Sequence, residues 1–212
     1  KFTQASNQLG TQMKATGEVM GIGANLEECV LKSVRSLEIG VNHLYLAKFD
    51  SYSTEELYEY LTEFKSDNIF AVAELLRRGE TIEKLHDVTK ITELFLESFK
   101  RIVDMEETLK TRVYDLETLT TAKKMGFSDK YVAYLWKCQE LDVYKMRKEN
   151  KMFPVFKMVD TCHTGAYIPY FYSSYTGENA SRLTNKKKII VLGAGPIRIG
   201  QGVEFDYSTV YA

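Results

Sequence analysis

The residues with the most chemical promise stand near the end of the sequence. Lys188-Ile-Ile-Val-Leu192 is a short apolar run, and Gly193-Ala-Gly195-Pro-Ile-Arg198-Ile-Gly200-Gln201-Gly202 follows it. A strand feeding a glycine-rich turn at a helix start is a phosphate cradle in many folds. Glycines there permit a tight turn and close approach of backbone N–H groups to an anion. The usual third glycine of a dinucleotide fingerprint is replaced by Arg198, and Gly200 falls two places late. No Gly-Lys-Ser/Thr of a Walker loop follows. A turn without any ligand fits the same residues. Glu204 and Asp206, near Gln201, offer carboxylates for acid–base or metal chemistry. Two residues at i and i+2 do not share a helix face, so ordinary charges at a helix start suffice to explain them.

Other chemistry is thinner. His43, His86 and His163 have no ligand partner at helical spacing, and His43 and His86 read as surface or capping residues. Cys162 and His163 are adjacent, which is not how a thiolate–imidazole pair is built, because neighbours in a strand point apart. The aromatic run Tyr167 to Tyr175 lacks interleaved basic residues, which argues against nucleic acid and for a packed loop over a domain seam.

The elements that must position these residues fall into three zones. Lys1 to Gly23 is glycine-rich, and Thr16-Gly-Glu18-Val-Met20-Gly-Ile22-Gly reads as a short strand between turns. From Asn25 to Met152 the chain has no proline and reads as short helices. Asn25-Leu-Glu-Glu28 and Ser53-Thr-Glu-Glu56 are capping signatures. Cys29, Val30, Val34 and Leu37 form the expected apolar stripe of the first helix. Leu57, Tyr60, Leu61 and Phe64 form that of the second, and Ile69, Val72, Ala73 and Leu76 that of a third, which Gly79 stops. Ile91, Leu94, Phe95, Ser98, Ile102 and Met105 form a longer stripe, read as core or an oligomer face. Leu116 to Met125, a segment capped by Ser128, and Leu141 to Lys151 complete the set. The third zone holds a possible strand at Val155 to Val159, the aromatic run, and a polar linker at Thr176 to Asn185.

Composition sets limits. Lys and Arg number 28 against 29 Asp and Glu, a net charge of −1, which favours neither nucleic acid nor an anionic membrane. No apolar stretch approaches the ~20 residues of a membrane span. Cys29, Cys138 and Cys162 show no metal spacing and fit reduced thiols in the cytoplasm. The chain starts at Lys1 and stops within an α/β opening, so both ends are expected to be cuts from a longer protein.

Taken together, these motifs resemble the large subunit of carbamoyl phosphate synthetase. The resemblance rests on Gln12-Met-Lys-Ala-Thr16-Gly-Glu18-Val-Met-Gly-Ile-Gly23, Lys32-Ser-Val-Arg35-Ser-Leu-Glu38-Ile-Gly40, Val155-Phe-Lys-Met-Val-Asp160-Thr-Cys162, Tyr170-Phe-Tyr172-Ser-Ser-Tyr175 and Val191 to Tyr207. It spans nearly the whole chain, in the family's order. It implies two fused ATP-grasp synthetase halves joined by a helical connection, or oligomerisation, domain. The implied organisation is 1–40 as the tail of the first half and 41–152 as the helical domain. Residues 153–187 would be an aromatic loop and linker, and 188–212 the start of the second half. The expected fold is mainly α, an irregular helical connection domain flanked by incomplete β pieces of α/β domains.

The resemblance implies an ATP-dependent ligase that makes carbamoyl phosphate from bicarbonate, glutamine-derived ammonia and two ATP, serving arginine or pyrimidine biosynthesis. The parent enzyme would need ATP, magnesium or manganese, potassium and a glutaminase small subunit. This segment would hold no catalytic residue, cofactor or metal, and would form a homo-oligomer through the helical domain. Gly193, Gly195 and Gly200 would shape a turn beside the internal carbamate tunnel. Glu204 and Gln201 would line that tunnel. Two other readings stay open from the residues themselves: a nicotinamide-dependent enzyme met at its first strand, and a stand-alone helical interaction module.

Overall fold

The computed structural model describes residues 4, 6, 8–12, 14, 19–159 and 165–193. Eight helices lie among them: α1 Leu26–Ser36, α2 Thr54–Leu61, α3 Asn68–Arg77, α4 Ile82–Thr89, α5 Glu93–Thr111, α6 Leu116–Lys124, α7 Asp129–Trp136 and α8 Glu140–Glu149. A single 3₁₀ turn, Ala47–Phe49, precedes α2. Strands β1, Val155–Met158, and β2, Phe171–Ser174, pair antiparallel with Val155 opposite Ser174 and Met158 opposite Phe171. The mainly α expectation holds.

Most helices start near the expected places, while α4 is a helix that the apolar spacing did not predict; Thr81 caps it, its side chain accepting from the Lys84 N–H. Asn25 Oδ1 accepts from the Glu28 N–H at 2.8 Å. Ser53 and Glu56 form a reciprocal capping box, Ser53 Oγ accepting from the Glu56 N–H at 3.1 Å and Glu56 Oε2 from the Ser53 N–H at 2.6 Å. Asp115 and Ser128 accept from the N–H groups of Thr118 and Tyr131 at 2.8 and 3.1 Å. Each cap satisfies a donor that the first helical turn cannot. Gly79 and Gly126 end α3 and α6 with φ of +86° and +89°, a region that side chains with Cβ avoid.

The longest helix, α5, is the axis. It packs against α1, α3, α4, α6 and α7. Its buried stripe is Leu96, Phe99, Ile102, Val103, Glu106 and Leu109, with Ser98 alongside. This corrects the expected stripe. Leu94 and Phe95 are 59% and 44% exposed, because the inward face lies about one residue further along the helix. Two more expectations shift in the same way. Phe64 lies past the end of α2 and is exposed. The fully buried face of α1 is Glu27, Glu28, Leu31 and Val34, because its two carboxylates find internal partners; Val30 packs half-buried against the core as expected, and Cys29 and Leu37 are only half-buried.

The flanking strands are a further correction. Residues 19–23 form no strand, and neither do Ile189 to Leu192. A strand needs a ladder partner, and none of the described residues supplies one to either run. Ile189 and Leu192 are consequently 91% and 92% exposed. The aromatic run, expected as a loop, instead contributes β2.

Candidate functional site

Three buried polar centres hold the helical body together. The first lies on the loop after α1. His43 is 1% exposed, and its Nε2 sits 2.9 Å from Glu106 Oε1 on α5. Arg77, the last residue of α3, donates from Nε to Glu106 Oε2 and from Nη2 to Oε1, both at 2.8 Å. Its Nη2 also donates to the Leu44 carbonyl, which ties the loop to α3. Its Nη1 lies 3.5 Å from Glu74 Oε2, an attraction without a hydrogen bond. The His43 ring stacks on Tyr131 with centroids 3.7 Å apart and planes 11° apart, and Phe127 covers it at 4.7 Å.

Charge assignment follows from the geometry. Burial alone would raise the Glu106 carboxyl, but the hydrogen bonds from Arg77 and His43 outweigh burial and bring it down to about 2. Burial lowers the His43 imidazole below its ordinary value, and the Arg77 charge adds to that against the pull of Glu106. Glu106 is therefore anionic and already paired with a guanidinium. A neutral His43 donates a hydrogen bond to it from Nε2–H. A histidine held by a carboxylate is the base-and-orienter half of an acyl-transfer triad. No hydroxyl or thiol bonds to His43 among the described residues; with Arg77 and Glu106 it locks the loop after α1 to α3 and α5.

The second centre joins α1 to the hairpin. Glu28 Oε2 accepts from the Ala24 N–H at 2.7 Å and from Ser174 Oγ at 3.1 Å, while its Oε1 pairs with Lys32 Nζ at 2.9 Å. Lys32 also donates to the carbonyls of Ile22 and Ser173 at 2.6 and 2.5 Å. One Glu–Lys pair thus binds the segment before α1, α1 itself and β2.

The third centre is Asp129. It accepts from Lys123 Nζ at 2.9 Å and from Arg147 Nε at 2.9 and 3.0 Å. Burial alone would raise its carboxyl, but Arg147 and Lys123 hold it below the ordinary range. Both cations also face the Tyr175 ring, Lys123 Nζ at 4.9 Å and the Arg147 guanidinium at 5.5 Å from its centroid. Tyr175 follows β2, so this centre clamps the other side of the hairpin.

Of the residues singled out from sequence, Gly193 is exposed at the last described position. Gly195, Gly200, Gln201, Glu204, Asp206, Cys162 and His163 lie outside the described residues. His86 is half-buried on α4, and its Nδ1 lies 2.7 Å from the Ile91 carbonyl in the connection after the helix, so it ties that connection down rather than capping the helix. Nor does His43 fit its expected role, since it is neither a surface nor a capping residue. Sequence reasoning missed Glu106 and Arg77. The available signal was a carboxylate recurring on the apolar stripe of α5, at Phe99, Ile102, Glu106 and Leu109.

The match of residues 18–151 to a known family decides the assignment. Its description is the carbamoyl-phosphate synthetase large chain, oligomerisation domain, and it covers more than half of the chain. The chain belongs to that family. Residues 185–212 match a second description, the carbamoyl phosphate synthase preATP-grasp domain. The first buried centre lies wholly within the oligomerisation-domain match, the other two reach past it to Ser173, Ser174 and Tyr175, and the second match begins in the polar segment beyond the hairpin. No helix of the described residues is long and apolar enough to cross a membrane.

Proposed function

We propose that this chain is the joint between the two synthetase halves of a carbamoyl-phosphate synthetase large chain, and that it self-associates through its helical body. The carrying observation is the order of the two matches: an oligomerisation domain at 18–151, then the opening of a preATP-grasp domain at 185–212. In this reading residues 1–40 close the first half, 41–152 are the helical domain, 153–187 connect, and 188–212 open the second half. The docked hairpin supports it. Glu28, Lys32, Lys123 and Arg147 seat β2 and Tyr175 on the helices, so the connection leaves the body from a fixed point.

The whole protein would be a cytoplasmic ligase forming carbamoyl phosphate from bicarbonate, ammonia supplied by a glutaminase subunit, and two ATP, for arginine or pyrimidine synthesis. ATP, magnesium or manganese, and potassium would act in domains other than this one. No cluster of three or more His, Cys, Asp or Glu among the described residues is arranged to hold a metal, and the proposed role runs no step through one. This chain alone would be inactive. Glu204 and Gln201 would line the passage for carbamate, where a carboxylate acts on an anion by its field rather than by proton transfer. Sequencing the transcript on both sides tests the reading. ATP-grasp halves before residue 1 and after residue 212 support it. A nicotinamide-binding second strand with an acidic ribose partner after residue 212 overturns it.

A further inference from the structure

A shallow groove of about 460 Å³ runs between α2 and α4, lined among others by Glu55, Tyr58, Glu59, Lys84 and Val88. Its surface is mostly apolar, and Val88 is 39% exposed. Leu57 and Leu61 face the core, which turns Glu55 and Glu59 outward, one helical turn apart, on the rim. Lys84, on the α4 wall, already pairs with Glu80 at 2.7 Å and lies over the Tyr58 ring. The groove thus offers an apolar floor under two free carboxylates.

The opposite chemistry stands on α8. Val143 and Arg147 face the body, which turns Leu141, Tyr144, Lys145 and Lys148 outward at i, i+3, i+4 and i+7. Leu141 and Tyr144 are 53% and 43% exposed. The acidic Glu140 and Glu149 sit at the two ends of the helix. No ion pair engages Glu55, Glu59, Lys145 or Lys148 among the described residues. The two faces belong to different parts of the body, since α2 packs on α3 and α4 while α8 packs on α7. A second apolar hollow, at Tyr45 and Tyr134, carries Lys130 on its wall and would repel a basic stripe.

We propose that the α2–α4 groove of one copy receives the α8 stripe of a second copy. Leu141 and Tyr144 lie against the apolar floor, and Lys145 and Lys148 stand opposite Glu55 and Glu59. The inference rests on the self-association reading above, whose family match at 18–151 contains both faces. The spacing agrees, because charges three or four residues apart on each helix project about one turn apart. Apolar burial supplies the affinity, and the charges select which faces meet.

The test is sedimentation equilibrium of the whole 212-residue chain. It compares the parent, Glu55→Lys/Glu59→Lys, Lys145→Glu/Lys148→Glu, and an equal mixture of the two variants. Each variant alone sets like charges face to face, and about tenfold or weaker association is expected. In the mixture every groove finds a helix of opposite charge, so association returns. All four positions are exposed, and recovery in the mixture separates a lost contact from a lost fold. Glu93→Lys/Glu97→Lys makes the same charge change beside the exposed Leu94 and Phe95, and it is expected to stay within about twofold of the parent. A parent that associates while either reversal leaves it unchanged overturns the assignment of faces and spares the self-association reading. So does a mixture no stronger than its components, or an equal loss in Glu93→Lys/Glu97→Lys. A parent that stays monomeric up to about 1 mM overturns that reading and this inference with it.

Discussion

His43 and Glu106 are 63 positions apart in sequence, yet His43 Nε2 lies 2.9 Å from Glu106 Oε1 inside the helical body. Their contact, completed by Arg77, joins the loop after α1 to the C-terminal end of α3 and to α5. The same loop then packs its histidine on Tyr131 of α7. Four parts of the fold thus meet at one carboxylate.

Glu106→Ala is expected to destabilise the chain by about 3–5 kcal/mol, because it strands a buried guanidinium and removes the acceptor of His43. Glu97 lies on the same helix and its side chain is 54% exposed, so Glu97→Ala should stay within about 0.5 kcal/mol of the parent. Urea unfolding followed by circular dichroism measures both. A loss below about 1 kcal/mol for Glu106→Ala contradicts the lock.

The pH dependence has a definite sign. Both His43 and Glu106 have folded pKa values below their unfolded ones. At falling pH the unfolded chain takes up protons that the folded chain refuses, so stability declines. The His43 contribution is fully present above about 6.5, and it is lost as pH falls below that value. The Glu106 contribution is lost between about 4.3 and its folded value of about 2. Nitrogen shifts of the His43 ring provide the check. A neutral ring protonated on Nε2 is expected at pH 6.5, and an imidazolium there contradicts the assignment.

Much of this fold was legible in sequence because local rules act locally. Asn25, Ser53 and Ser128 cap their helices, and Gly79 and Gly126 end theirs, as their side-chain chemistry requires. The α5 stripe was misplaced because Leu94 and Phe95 look apolar whether or not they face inward. The centres of Glu106, Glu28 and Asp129 were invisible because their partners are remote: Ser174 stands 146 positions from Glu28. Spacing rules see neighbours on one helix, and these pairs are made by tertiary packing. The strand expected at Ile189 to Leu192 failed for a related reason, since apolar residues alone do not supply a ladder partner. Of the residues proposed for the tunnel, Glu204 and Gln201 rest on motif resemblance alone.

Asp129→Ala tests how the hairpin is held. The change leaves Lys123 and Arg147 as unpaired, largely buried cations, and a loss of about 3–5 kcal/mol is expected. Hydrogen exchange at Phe171 to Ser174 should quicken as Tyr175 loses its oriented cations. Unchanged exchange in β2 would show that the clamp does not act on the hairpin.

Two glycines with nearly the same backbone separate strain from crowding. At Gly79, with φ +86°, an added Cβ meets nothing within 4 Å. Gly79→Ala should therefore lose about 1 kcal/mol, for the left-handed backbone alone. At Gly126, with φ +89°, the Cβ would stand 2.8 Å from Glu28 Cα, which is backbone and cannot swing aside. Gly126→Ala should lose about 2–4 kcal/mol. Equal losses in thermal unfolding would remove the close α1–α6 approach from the account.

The central claim is that this chain is an oligomerising joint, and sedimentation equilibrium from micromolar to about millimolar concentration tests it most directly. The account expects a concentration-dependent rise above the 24.4 kDa of one chain to a discrete oligomer. A mass that stays at 24.4 kDa across the whole range contradicts it.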